Sequence, residues 1–164
     1  MGIIHIRVDD RLVHGLVATM WSNYVGATRL MVVDDATSEN QLVKSSLKIA
    51  TPAGISLSVL SVEKAAANIL SGKYDNQKVM VIVKTPVVLW QLYEKGVKFN
   101  LINMGNITYT QDKVKVARTV SVSPADVEAI KNLTEHGVKI TSQLITSDPA
   151  EDFTELMKKT GINL

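Results

Sequence analysis

Residues 9–15 read DDRLVHG and place Asp9, Asp10, Arg11 and His14 within one short stretch. A neutral imidazole presents a free nitrogen lone pair near neutral pH, which makes His14 a candidate nucleophile. Arg11 lies three residues earlier, and its planar guanidinium can hold two phosphate oxygens at once. Gly15 has no Cβ, so a ligand can approach its backbone closely. If a helix begins there, its unpaired N–H groups and its dipole favour an anion. Phosphoryl transfer needs mainly positioning and charge stabilisation, and this set is sufficient for it. Carboxylates repel a phosphoryl group, so Asp9 and Asp10 are expected to orient Arg11, hold an imidazole N–H or cap the helix. The same residues would also suit a solvated surface turn, and residue chemistry alone leaves both readings open.

Other chemistries lack their signatures. There is no G-x-G-x-x-G, no G-x-x-x-x-G-K-[ST] and no G-x-S-x-G. The chain has no cysteine, which removes disulfides, thiolate nucleophiles and cysteine-ligated metals. His5, His14 and His136 are far apart in sequence, so neither a metal nor any other cofactor is expected. His5 reads as a structural residue of a strand, and His136 as a helix-end residue. Trp21 and Tyr24 are spaced as one helix face and read as core.

The elements that would position the cluster follow from the pattern of apolar runs. Strands are expected at 3–8, 29–34, 55–60, 78–83, 98–104, 119–122 and 138–145. Several are nearly continuous Val, Ile, Leu and Met, as in strands buried on both faces of a parallel sheet. Between them lie helical segments with capping signals: Ser61 to Gly72, Thr85-Pro86 to Gly96, Ser123-Pro124 to Gly137, and a last helix from Asp148-Pro149 to Gly161. This alternation predicts an α/β fold, an open, mostly parallel sheet of about seven strands with helices on both faces. In such sheets ligands bind at the carboxyl ends of the strands, near a topological switch point. The cluster at 9–14 follows the first strand, and that location favours function over a surface turn.

Bulk composition narrows the classes further. The 164 residues, 46% of them apolar, suit a single domain over 1–164 with a full core. With 18 basic against 16 acidic residues the net charge is +2, and no basic stretch suggests a nucleic-acid partner. No run approaches the roughly 20 apolar residues of a membrane span, and MGIIHIRVDD does not read as a secretory signal. A cytoplasmic protein is expected.

The stretch RVDDRLVHGLVATMW resembles the active-site loop of the IIB component of the mannose/fructose/sorbose family of the bacterial sugar phosphotransferase system. That family's pattern is close to R-[IV]-D-[DE]-R-L-[IV]-H-G-Q-V-x-x-x-W, matched in register by Arg7, Asp9, Asp10, Arg11, Leu12, His14, Gly15, Val17 and Trp21. Further segments are similar at VVDDATSEN (32–40), ATPAGISLSVLSVEKA (50–65), LINMGN (101–106) and VSVSPADVEAIKNLTEHGVKI (120–140), so the likeness covers nearly the whole chain. It implies a phosphotransferase in which His14, phosphorylated on Nδ1, takes a phosphoryl group from a IIA component. The group then passes to a sugar held by the membrane components IIC and IID, the chain being peripherally associated with that transporter. Arg11 would stabilise the transferring group. Asp10, Gly15, Asp35, Asn103, Gly105 and Asn106 would shape the phosphate and substrate pocket. Leu16 departs from the pattern, standing where the family usually has glutamine. A regulatory or binding paralogue with altered or lost phosphotransfer is therefore the second reading, and an unrelated flavodoxin-like small-molecule binder the third. The sequence names no particular sugar and leaves a homo-oligomer open.

Overall fold

The computed structural model describes residues 2–164. Its first half runs β1 (Gly2–Asp9), a π-helical segment (Leu16–Trp21) continuing into α1 (Ser22–Val25), β2 (Arg29–Val33), α2 (Asp35–Ser38), α3 (Gln41–Ala50) and β3 (Ser56–Leu60). Next come α4 (Val62–Leu70), β4 (Lys78–Val83), α5 (Pro86–Glu94), β5 (Leu101–Asn106), β6 (Val114–Ala117) and β7 (Val120–Val122). The chain closes with α6 (Pro124–Glu135), β8 (Lys139–Ser142), β9 (Glu151–Asp152) and α7 (Phe153–Lys159). Among the described residues the main sheet has seven strands in the order β3-β2-β4-β1-β5-β8-β9, all pairs parallel except β8 with β9.

The unbroken apolar strands are buried on both sides, as their composition requires. In β2 and β4, Leu30, Val32, Met80 and Ile82 face one core, built with Val17, Ala18, Trp21 and Leu47 from the π-helical segment and α3. Met31, Val33, Val79, Val81 and Val83 face the other, which α4, α5, α6 and α7 cover with Ala65, Leu89, Leu92, Ile130, Leu133, Phe153 and Met157. The expected α/β architecture with helices on both faces is therefore the observed one. It also locates the switch point. The connection leaving β1 crosses one face, while those leaving its neighbours β4 and β5 cross the other. The crevice opens at the carboxyl end of β1, where residues 9–15 lie.

Four expectations need correction. The segment expected as strand 119–122 is β7, which pairs antiparallel with the unforeseen β6 in a separate two-stranded ribbon. The seventh place in the main sheet belongs to the two-residue β9, paired with Thr141 and Ser142. Consequently the last helix starts at Phe153 rather than at Asp148-Pro149, because the Asp152 side chain caps it by accepting from the Thr154 and Glu155 N–H groups. The strand expected over 138–145 stops at Ser142, since the Gln143 and Leu144 carbonyls turn inward to meet Arg7. Finally, Tyr24 is 67% exposed and not core, although its partner Trp21 is buried and the two rings meet edge to face.

Candidate active site

β1 ends on a buried carboxylate around which the following loop folds. Asp9 has no solvent exposure, and five hydrogen bonds converge on it. Its Oδ1 accepts from the Arg11 backbone N–H at 3.1 Å and from Arg11 Nε at 3.0 Å. Its Oδ2 accepts from Arg11 Nη2 at 3.0 Å, from His14 Nε2 at 3.1 Å and from Arg7 Nε at 3.3 Å. The tight wrap forces Leu12 to φ 60°, the one non-glycine residue at positive φ among the described residues, while its side chain stays buried. Such a backbone costs about 1–2 kcal/mol and persists only where surrounding contacts fix it. Burial pushes the Asp9 carboxyl upward. Hydrogen bonds from His14 and Arg11 and the charge of Arg7 outweigh burial and bring it down to about 2.

An ionised carboxylate can only accept, so the imidazole nitrogen facing it must donate. His14 thus carries its proton on Nε2 and presents the Nδ1 lone pair. Its side chain is 22% exposed and that of Arg11, bound to the same carboxylate, is 42% exposed. Hydrogen bonding to Asp9 raises the Arg11 value further and keeps its charge fixed. One free imidazole nitrogen close to an open, permanently charged guanidinium can receive a phosphoryl group.

The remaining expected site residues are placed as follows. Gly15 opens the π-helical segment with no side-chain cap, and the space where its Cβ would stand is empty. Leu16 is half-buried and packs on the adjoining core. Asp10 points away from the imidazole: its carboxylate accepts from Asn106 Nδ2 at 2.8 Å and from the Thr108 backbone N–H at 2.7 Å, tying the end of β1 to the end of β5. Asn103 is buried and accepts from Arg7 Nη1 at 2.7 Å. Gly105 leaves room for the same guanidinium, and a Cβ there would fall 2.2 Å from Arg7 Cζ. Asp35 caps the start of α4, accepting from the Val62 N–H at 2.8 Å. So Asp9, Arg11, His14 and Gly15 assemble at one point, Asp10, Asn103, Gly105 and Asn106 brace it, and the Asp35 carboxylate is engaged elsewhere.

The sequence reading gave no role to two residues near the site, although Arg7 was among those matching the family pattern. Arg7 lies wholly buried behind Asp9, its guanidinium 4.9 Å above the Trp21 ring. The available signal was a lone arginine inside the apolar run IIHIRV, which implies a buried partner. Lys84 follows β4 directly and, with Arg11, Leu12, Thr37 and Asn40, lines a cleft of about 290 Å³ beside the loop. Its signal was position, since β4 is the strand next to β1 at the ligand-binding end of the sheet. Among the described residues no cluster of three or more His, Asp or Glu could hold a metal.

Fold and loop together define an α/β protein whose first strand ends in a histidine and an arginine held on one buried carboxylate. The chain belongs to the family described as "PTS system sorbose subfamily IIB component", whose model matches residues 3–164. It is 34% identical over 152 residues to the sorbose-specific EIIB component of Lacticaseibacillus casei, covering 93% of each chain. It is 33% identical over 153 residues to the mannose-specific EIIAB component of Escherichia coli strain K12, of which it spans 47%. The crystal structure of the IIBSor domain of the sorbose permease from Klebsiella pneumoniae superposes with a TM-score of 0.93 at 29% identity, covering 98% of each chain. IIB components of this system are sugar phosphotransferases, and this chain acts in phosphoryl transfer coupled to sugar uptake. No helix among the described residues is long and apolar enough to cross a membrane.

Proposed function

We propose that His14 is the residue that carries the phosphoryl group. The observation that carries this reading is the 3.1 Å contact between His14 Nε2 and buried Asp9, which leaves Nδ1 as the nucleophilic nitrogen. In the first step the Nδ1 lone pair attacks the phosphorus of a phosphohistidine on a IIA component. The donor's P–N bond breaks as the new one forms, and Arg11 balances the charge on the equatorial oxygens. In the second step a sugar hydroxyl attacks the same phosphorus, the Nδ1–P bond breaks, and the hydroxyl proton passes to solvent. The sugar is held by membrane components IIC and IID, to which this cytoplasmic chain docks from the side. Asp9 keeps its charge through both steps and so retains the Nε2 proton. Binding of phosphate itself stays modest, because an overstabilised phosphohistidine would slow onward transfer.

The direct test incubates the protein with phosphoenolpyruvate, the general phosphotransferase proteins and a cognate IIA component. Acid-labile phosphate is expected on the wild type and none on His14→Ala. Arg11→Ala is expected to be labelled more slowly with its unfolding temperature nearly unchanged. Equal labelling of His14→Ala would reject the assignment.

A further inference from the structure

We propose that Arg7 is a positioning residue for phosphoryl acceptance: from behind the site it locks the Asp9 carboxylate, and through it selects the ring nitrogen that His14 presents. This deepens the carrier reading and rests on it for the transfer rate, though not for the geometry. Arg7 is closed off from incoming groups, since its side chain is wholly buried, and it reaches the imidazole only through the Asp9 carboxylate. Asp9 otherwise hangs between two movable partners, Arg11 and His14, both partly exposed. If the carboxylate rotated to follow Arg11, it would release Nε2, and the imidazole proton would be free to settle on either nitrogen. Arg7 Nε binds Oδ2, the same oxygen that receives the His14 Nε2 proton.

Arg7 can act as a fixed point because it is itself held from three parts of the chain. Nη1 donates to Asn103 Oδ1 at 2.7 Å on β5 and to the Gln143 carbonyl at 3.1 Å beyond β8. Nη2 donates to the Leu144 carbonyl at 3.1 Å, which also accepts from Trp21 Nε1 at 2.9 Å. The Trp21 ring covers one side of the guanidinium, and the absent side chain of Gly105 makes room for it. Burial lowers the Arg7 value and the Asp9 charge opposes that shift, so the ion pair depends on both members. Such an arrangement suits orientation better than stability, because a buried pair returns little net stability while fixing geometry strongly. Lysine cannot replace it, having one nitrogen in place of the fork that reaches three elements.

The test uses Arg7→Lys and Gly105→Ala. The first keeps the charge and loses the fork; the second keeps Arg7 and drives it from its recess. Nitrogen-15 spectra of the His14 ring, taken before any phosphorylation, read the tautomer directly. The wild type is expected in a single Nε2–H form, with Arg7 Nε–H exchanging slowly with water. Both variants are expected to mix tautomers and to accept the phosphoryl group about tenfold to a hundredfold more slowly, as is typical when a supporting partner behind a reactive group is lost. Phosphorus-31 spectra of the variants should show some phosphate on Nε2. A folded variant with the pure Nε2–H form and the wild-type transfer rate overturns the proposal, as would rapid exchange of Arg7 Nε–H in the wild type even if neither variant folds. A wild type that takes no phosphoryl group would reject the carrier reading, while tautomer mixing confined to the variants would still support the hold of Arg7 on the imidazole through Asp9.

Discussion

Two strand-to-helix junctions in this protein solve the same problem in opposite ways. At the exit of β7, the Ser123 hydroxyl accepts from the Asp126 N–H, the Asp126 carboxylate accepts from the Ser123 N–H, and Pro124 takes the first helical position. Every local rule for starting a helix is obeyed there. At the exit of β1, a glycine opens a π-helical segment with no side-chain cap and no acid in its first turn, after a leucine held at positive φ. The Asp9 carboxylate, which the sequence reading allowed as a cap, is taken by Arg7, Arg11 and His14 instead. Local consistency is given up where, on the proposed function, an open imidazole faces an incoming phosphoryl group, and it is kept where only the fold is at stake.

The largest expected difference between the junctions follows from Asp9→Asn. The substitution preserves shape but leaves Arg7 as a buried cation without its counter-charge, a change worth about 3–5 kcal/mol. Removing the Ser123 hydroxyl with Ser123→Ala is expected to cost about 1 kcal/mol, the usual loss of a helix cap. Urea denaturation of both variants measures the gap. Equal costs would mean that the charge network contributes no more than an ordinary cap.

Acid sharpens the contrast. His5, beneath the loop and stacked on Trp21 at 5.1 Å, is pushed from 6.5 to about 4 by burial and by the charge of Arg7. A base with a depressed value binds its proton in the unfolded chain first. Its stabilising contribution is therefore complete above about pH 6.5 and drains away as the pH falls to about 4. Asp9, an acid with a depressed value, holds its contribution above its ordinary 3.8 and loses it as the pH falls toward about 2. Asp126 runs the other way. Burial raises it against the Ser123 hydrogen bonds, so the α6 junction gains as the pH falls through that raised value. Denaturation midpoints between pH 7 and 4 should fall for the wild type and stay nearly level for His5→Phe, which keeps the ring stack without the titrating nitrogen. A parallel decline in both would assign the acid sensitivity to other groups.

The same contrast explains what could be read from the chain. Continuous Val, Ile and Met in β2 and β4 could only be doubly buried strands, and Ser123-Pro124 could only start a helix. Residues of that kind carry their structure locally. His14, Arg11 and Gly15 were legible because their types state a chemistry and their place after β1 states a location. What escaped depends on partners remote in sequence. The Arg7 guanidinium is defined by Asn103, Gly105, Gln143 and Leu144, and no local pattern announces a recess left by a glycine on another strand. The end of β8 was misjudged for the same reason, its next two carbonyls being claimed by Arg7. The family resemblance implied that Asp10 and Asp35 shape the pocket, and only three-dimensional placement reveals Asp10 as a brace between strand ends and Asp35 at the start of α4.

The smallest effect on stability is the one that most directly separates the two junctions. Gly15 sits at φ −48° and ψ −46°, ordinary helical values, and a Cβ there would meet no atom within 4 Å. Gly15→Ala therefore introduces no strain, and by restricting the unfolded chain it is expected to stabilise the fold by about 0.4–1 kcal/mol. Glycine at this position is not explained by the backbone. On the proposed function, its use lies in the bare approach it leaves beside His14 for the donor and the acceptor of the phosphoryl group. Gly15→Ala is thus expected to raise the unfolding temperature slightly while slowing labelling of His14, whereas Ser123→Ala lowers the unfolding temperature and leaves labelling unchanged. A Gly15→Ala protein that is more stable and labelled at the full rate would show that the open start of this helix serves no encounter, and the contrast between the two junctions would reduce to the charge network around Asp9.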